Sequence, residues 1–544
     1  LTSLYAAGAA GRNALALDGA GNAIVAGQSG LANSSDFVVA KVDRAGVEQW
    51  RAVVDGTGGG TDRAYAVATD GSGNVYVAGD SFAAGYSDFL TVRFNSSGVE
   101  QWRALAGRAP NTFNTVRALA VDPSGDVIVT GQSSAGADFL TIKYAAGGGE
   151  LARSTSNGSG SGNDTPVAMA VDATGNIFVT GRSFDGAYDG YLTVKYSPSL
   201  SELRRAVIPG SASAPQQPYA IVIDAAGNVI VGGDSLVKYN ANLDEQWRVT
   251  DSFRAYALAV GVDGSVLVAG TGGLIVKYDA GGSRQWQRAI NGAVDGNDVV
   301  YTVAVDGAGD VYVAGQNAAN VNGDYLTVKF AADGTERWRF TTATAGGGLG
   351  VPPVISLGDN RSVMLTGNAV SPGQPTAIML ARFSQAPPPP INVTALAGSE
   401  LAMVTFQPPA ASEAPIADYS IVCQPGNIVA SRNASPIFVT GLTNELPYLC
   451  SITASNVYGS SAAVPFSVTP STSAPLALFS VHSRKPHGTA GDYSVDIDLL
   501  PSIYGAITVE PRASAAGHVL VFTFNNAVSA AGTASAEDSF MTAL

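Results

Sequence analysis

Over residues 1–385 the apolar residues fall in short β-branched runs that return with a long period. The run Gly73-Asn74-Val75-Tyr76-Val77-Ala78-Gly79 has seven counterparts. The closing glycines of the eight copies, Gly27, Gly79, Gly131, Gly181, Gly233, Gly270, Gly315 and Gly367, are 52, 52, 50, 52, 37, 45 and 52 residues apart. Before each copy lies another short run, such as Ala66–Asp70 or Leu119–Asp122, usually joined to it by D-x-x-G-[ND]. Asp, Gly and Asn supply a side-chain-capped turn with a positive-φ residue, so each link predicts a tight hairpin. A third run follows, of the type Asp88–Phe94, and a fourth of the type Glu100–Arg103. Each repeat thus predicts four short strands punctuated by turns.

All five tryptophans, Trp50, Trp102, Trp247, Trp286 and Trp338, stand nine residues after the base of the third strand (Lys41, Arg93, Lys238, Lys277, Lys329). A large ring at one fixed phase suits packing between neighbouring units. The third and fourth copies have no Trp; Leu151 and Leu203 sit one residue early, and looser packing is expected there. Four strands per ~40–50 residues read as a β-propeller, with a stacked solenoid as the competing architecture. The eighth copy supplies three strands before the proline run, and residues 1–12 read as its missing fourth. The expected fold is therefore all-β, with an eight-bladed propeller over 1–385 closed by the N-terminal strand, which removes exposed sheet edges.

The stretches A-V-D-x-x-G-N-V-Y-V-A-G and D-F-L-T-V-K-Y-x-x-x-G-x-x-x-W resemble the bacterial propeller repeats known as SBBP (beta-propeller repeat). That resemblance implies a secreted or surface-attached protein without a known reaction. The G-x-x-x-W ending (Gly46 to Trp50) also looks like quinoprotein repeats, whose pattern is one residue longer between Asp and Gly. After a Pro-rich linker at 386–390, residues 391–472 are similar to a fibronectin type III domain. The resemblance rests on Val404–Phe406 with Pro408-Pro409, Ala417–Ile421, Gly441-Leu442 and Tyr448 through Gly459, with Phe406 where the family carries Trp. It implies neighbouring strands for Cys423 and Cys450 and hence a disulfide, which would place the chain in an oxidising compartment. The alternative is two buried free thiols. Residues 473–544 alternate apolar and polar and read as a further β-rich domain, expected to be incomplete. His482 and His487 lie near Asp492, Asp496 and Asp498; exposed loop histidines are favoured there over a metal site.

Composition removes several chemistries. The 544 residues carry 44 acids against 30 bases, a net charge of −14. That surface repels nucleic acid and anionic lipid. Residues 1–390 hold neither His nor Cys, which excludes Ser-His-Asp and Cys-His catalysis and ordinary zinc sites from that part. No apolar run is long enough to span a membrane as a helix. Sixty-four glycines agree with a structure rich in tight turns. The chain begins at Leu1 without Met, as a processed protein or a fragment would.

In a four-stranded meander the two-to-three and four-to-one connections emerge on one face, and here they are the long and variable ones. From the repeat glycine to the third-strand base the link is 14 residues after Gly79, Gly181 and Gly315 but 5 after Gly233 and 7 after Gly270, a notch in a raised rim. The tall neighbours carry Phe82, Tyr86 and Asp88, and Phe184, Tyr188 and Asp189. Rings beside carboxylates suit sugars, by face stacking plus hydrogen bonds to hydroxyls; the competing reading packs these rings on their own loops. The recurring Asp before strand three (Asp36, Asp88, Asp138, Asp189, Asp324) reads as a turn or cap, and the third-strand base as an outward or inter-blade ion-pair partner. The expected function is a secreted or cell-surface, monomeric, non-enzymatic binding or adhesion protein that recognises a glycan or another surface protein and needs no cofactor. A carbohydrate-active enzyme is the alternative, since glycoside hydrolysis needs only two carboxylates; a quinone-dependent dehydrogenase comes third.

Overall fold

The computed structural model describes residues 2–4, 14–383 and 387–472 apart from short stretches, the longest being 29–34, 108–112, 134–137, 291–297, 317–324, 343–351, 358–362, 370–376 and 410–414. Further on it describes strands 478–486, 492–497 and 519–524. The chain divides into two compact units, Leu1–Phe383 and Ser384–Leu544.

The local turn chemistry folds as its residues require. Asp70 Oδ1 accepts from the amides of Ser72 and Asn74, both at 2.9 Å, and Gly73 takes φ 76°, which a side chain would resist. Such hairpins build a series of antiparallel four-stranded meanders; in the second sheet the strands are Asp62–Thr69, Val75–Ala83, Tyr86–Phe94 and Glu100–Ala106. Among the described residues eight four-stranded sheets occupy this unit, and the last combines Val354–Leu357, Val363–Ala369 and Ala377–Phe383 with Thr2–Leu4 from the opposite end. That strand pairs antiparallel, Thr2 opposite Leu380 and Leu4 opposite Ile378. First strands of successive sheets touch one another, and the first strand of the first sheet touches that of the eighth. Val25, Val38 and Val42 of the first sheet share one apolar cluster with Met364 and Leu380 of the eighth. The unit is all-β and propeller-like. First strands lie innermost, while the fourth carries exposed residues such as Glu48 and Arg51.

Neighbouring sheets are joined by a repeated clasp. The indole N–H of Trp50 donates to Ser96 O at 3.1 Å, that of Trp102 to Ala146 O at 2.9 Å, that of Trp247 to Ala280 O at 3.0 Å and that of Trp286 to Ala332 O at 3.0 Å. Each acceptor lies in the three-to-four turn of the next sheet. The third-strand bases reach the same turns: Arg93 donates to Ala146 O at 2.7 Å, Lys143 to Pro198 O at 2.9 Å and Lys195 to Ala241 O at 2.7 Å. These bases do not point outward. Lys41 pairs with Asp18 at 2.8 Å, Lys143 with Asp122 at 2.6 Å and Lys238 with Asp224 at 2.8 Å, all buried inside their own sheets. The hairpin aspartate thus caps its turn and neutralises the buried base, which spends its remaining donors across the interface.

The third and fourth sheets, which lack Trp, are not loosely packed. Ala152 and Arg204 occupy the Trp position, opposite Lys143 and Lys195, while Leu151 and Leu203 point to solvent. The turn glycine of the following sheet is replaced by Leu200 and Leu243, held at φ 60° and 63° and buried. A leucine from one side fills what a tryptophan fills from the other.

In the second unit, one sheet pairs Ile391–Gly398, Leu401–Gln407 and Ile437–Thr440, and another joins Ile428–Arg432, Asp418–Gln424 and Tyr448–Asn456, with Gly459–Ser460 and Val464–Val468 on the last of these. Their inner faces share a core of Val404, Phe406, Tyr419, Ile421, Val439 and Ile452. Cys423 and Cys450 are directly opposite in register and form a disulfide, S–S 2.01 Å. Further along, Leu478–Pro486 runs between Asp492–Ile497 and Val519–Phe524, with His482 opposite Asp496. His487 and Asp498 lie outside the described residues. Among the described residues no helix is long and apolar enough to cross a membrane.

Candidate functional site

The first strands enter their sheets from the side of the two-to-three links, and in six sheets each enters with the same irregularity. Register slips between Ala64 and Ala66, Val116 and Ala118, Pro166 and Ala168, Pro218 and Ala220, Ala255 and Ala257, and Val300 and Thr302. Tyr65, Arg117, Val167, Tyr219, Tyr256 and Tyr301 are therefore bulge residues without a partner on the second strand. A bulge re-aims its side chain. All six are half-buried and each follows a buried residue, on the innermost strands at the mouth of the ring of sheets.

Three consecutive bulges are tyrosines, and their rings run on from one sheet to the next. Tyr219 meets Tyr256 edge-on at 4.9 Å, and Tyr256 stacks on Tyr301 at 5.9 Å between centroids. Burial pushes the phenols of Tyr219 and Tyr301 up. Beside this row, Asp234 accepts from the amide of Gln217 and from Arg254 Nε, both at 2.9 Å. The rim is lowest here. The second and third strands are Val229–Gly233 and Leu236–Tyr239 in the fifth sheet and Val266–Gly270 and Leu274–Tyr278 in the sixth, against nine residues in each of Val75–Ala83 and Tyr86–Phe94. The notch expected from the link lengths thus opens on an aromatic row.

A second cluster lies between the second and third sheets. Asp80 is 1% exposed and stands opposite Arg63 in register; its Oδ1 accepts from Val116 N at 2.7 Å. Burial raises its carboxyl to about 7, against the pull of the Val116 amide, Arg117, Tyr65 and Arg63.

The rings and carboxylates singled out in the sequence are distributed differently. The tall link of the second sheet is a prolonged ladder in which Phe82 faces Ser87 and Ala83 faces Tyr86. Because side chains alternate along a strand, Phe82 and Tyr86 lie on opposite faces and make no ring pair. Phe82 lies under the Arg63 guanidinium, 5.6 Å from its centroid. Asp88, sharing a face with Tyr86, is fully buried and has no surface to offer a ligand. Phe184 packs on the connection between the third and fourth sheets, where a Cβ on Gly162 would run into its ring. Tyr188 is exposed, and Asp189 pairs with Arg182 at 3.4 Å. Asp189 is not equivalent to Asp88: Tyr191 aligns with Phe89, so Asp189 is one residue early and on the opposite face.

Asp36, Asp55 and Asp62 bring carboxylate oxygens within 4.8 Å of one another. Asp62 accepts from the amides of Gly56 at 2.6 Å and Phe82 at 3.2 Å, and Asp164 accepts likewise from Gly158 and Phe184. At the equivalent place Asn114 donates to Ser87 O and Gly107 O, both at 3.0 Å. This position latches the connection between sheets, and an amide serves as well as a carboxylate. On the opposite face a cleft lined by Asp263, Lys277, Trp286, Arg288 and Asp333 consists of clasp residues found in most sheets.

Sequence reading passed over the bulge residues because they break the period of two. Their signal was present: each stands five places before the residue that opens its 1–2 hairpin turn, as Tyr65 before Asp70, Arg117 before Asp122 and Tyr219 before Asp224. Across these six repeats that position holds Tyr four times, Arg once and Val once.

No family model and no curated protein matches the chain. Among solved structures it is similar to BamB from Moraxella catarrhalis, with 12% identity over 67% of this chain and 95% of that one at a TM-score of 0.42. It is similar to Sqt1 from Chaetomium thermophilum, with 10% identity over 71% and 100% at 0.48. Raptor from Chaetomium thermophilum aligns with 14% identity over 57% of this chain and 27% of its own at 0.38.

Proposed function

We propose that residues 1–385 form an eight-bladed propeller of SBBP type, closed by the N-terminal strand, whose mouth on the side of the two-to-three links binds a glycan without transforming it. The observation that carries this reading is the row Tyr219–Tyr256–Tyr301 beside the lowered fifth and sixth sheets. A flat aromatic run reachable from the side accepts sugar faces, and Asp234 with Arg254 supplies polar groups for hydroxyls. The mouth carboxylates Asp80 and Asp234 belong to the second and fifth sheets, and each is engaged by an amide. Beside the tyrosine row this arrangement supports binding over hydrolysis, which needs two carboxyl groups ~5–10 Å apart across one bond; the close Asp36, Asp55 and Asp62 group belongs to the first two sheets, not to the fifth to seventh.

The Cys423–Cys450 disulfide supports an extracellular or cell-surface location. In this reading 386–390 is a stiff linker, 391–472 a fibronectin type III spacer and 473–544 a further β module. The test is a glycan array probed with the full chain and with Tyr256→Ala. Retention of a defined glycan set, at least tenfold weaker for the variant and with no new reducing ends, is expected. Signals indifferent to Tyr256, or release of reducing ends, would overturn it.

A further inference from the structure

We infer that the mouth between the second and third sheets holds a carboxylate group of the ligand between Arg63 and Arg117, in a site that Asp80 opens and closes with pH. The inference rests on the binding-face reading for access to the mouth, and names the charge class of the ligand.

Most bases of the first unit serve the clasp or the E-x-x-R pairs of the outer strands, as Glu100 does with Arg103 at 2.7 Å. At the mouth, Arg182 answers Asp189 and Arg254 answers Asp234 one to one. Among the described residues Arg63 and Arg117 share a single carboxyl, Asp80, and the Nε of each is buried with no hydrogen-bond partner. In a chain of net charge −14, this is a local excess of positive charge. The two guanidiniums come from adjacent innermost strands. One is seated on the Phe82 ring and the other is carried on a bulge, so both are positioned before a ligand arrives. Planar guanidinium donors match the two oxygens of a carboxylate.

The groups facing Asp80 are Arg63 and Tyr65 from the second sheet, and Arg117 with the amide of Val116 from the third. With its carboxyl raised to about 7 by burial, Asp80 is neutral in mild acid and leaves two uncompensated cations. Above that pH it becomes their counter-ion and repels an incoming carboxylate. Affinity then falls by up to about tenfold per pH unit.

The experiment is calorimetric titration of the full chain with glucuronate, glucose and acetate at pH 5.5 and 8.5 and constant ionic strength. Glucuronate binding at pH 5.5, at least tenfold weaker at pH 8.5, lost in Arg117→Gln and weakened but not lost in Arg117→Lys, which keeps the charge without the planar fork, is expected. Asp80→Asn, which retains an acceptor for Val116, is expected to bind equally at both pH values. Glucose binding as well as glucuronate overturns this inference and leaves the glycan reading standing. Acetate equal to glucuronate, with no glucose binding, leaves the carboxylate site and removes the glycan reading. Glucuronate heats unchanged in Arg117→Gln of native thermal midpoint overturn the site.

Discussion

Trp50 lies so closely over Gly98 that a Cβ added to that glycine would sit 2.5 Å from its Cδ2. The same meeting recurs between Trp102 and Gly148 at 2.6 Å and between Trp247 and Gly282 at 2.9 Å. The G-x-x-x-W motif is therefore not an intra-sheet signature. Its glycine receives the tryptophan of the preceding sheet, and its own tryptophan goes to the next. Where the ring is absent the relationship is inverted, with Leu200 packing into the cluster that includes Ala152.

This inversion predicts a compensating swap. Ala152→Trp alone overfills the interface, and Leu200→Gly alone leaves a cavity. Each is expected to destabilise the first unit by roughly 1–4 kcal/mol. The double variant restores the pairing used by Trp102 and Gly148, and should recover about 1–3 kcal/mol of the summed loss. Thermal denaturation of the four proteins measures it; strict additivity would show that the two positions do not share a space.

Asp80 makes stability depend on pH in a defined direction. Its folded-state carboxyl is raised to about 7 from an ordinary value of 3.8, so the protonated form is favoured in the folded state. The resulting stabilisation is complete below the ordinary value and is lost as pH climbs to about 7. Asp80→Asn removes that loss. The variant is expected to be more stable than the parent at pH 8, by on the order of 1–3 kcal/mol, and equal to it near pH 4. A constant offset at both pH values would contradict the assignment.

Reducing Cys423–Cys450, which closes a separation of 27 residues, removes a constraint on the unfolded second unit. The expected cost is about 3 kcal/mol, confined to that unit. Calorimetry with and without reductant should show one transition moving down while that of residues 1–383 stays in place.

Strand number, hairpin positions, the inter-sheet role of tryptophan and the step in the rim were all legible, because each depends on local chemistry repeated many times. Asp18 and Asp70 advertise a turn whatever surrounds them. The outward alternative for the third-strand bases fails because a lysine reads as exposed until its counter-ion is located, and Asp18 is 23 residues upstream of Lys41 in sequence. Phe82 and Tyr86 were misjudged because a link counted in residues does not reveal whether it is a loop or a lengthened ladder. Here it is a ladder, and alternation divides the two rings.

Repetition in the amino-acid order was enough to establish the four-stranded unit, its recurrence and the pairing of turn with ring. Only the assembled sheets decided which side chains reach the mouth. A bulge appears in a linear pattern as a lapse of one position, and its effect is to turn Tyr65, Arg117, Tyr219, Tyr256 and Tyr301 away from the ladder. Residues from separate repeats then meet as a row of rings and a pair of guanidiniums, because the innermost strands of neighbouring sheets lie side by side.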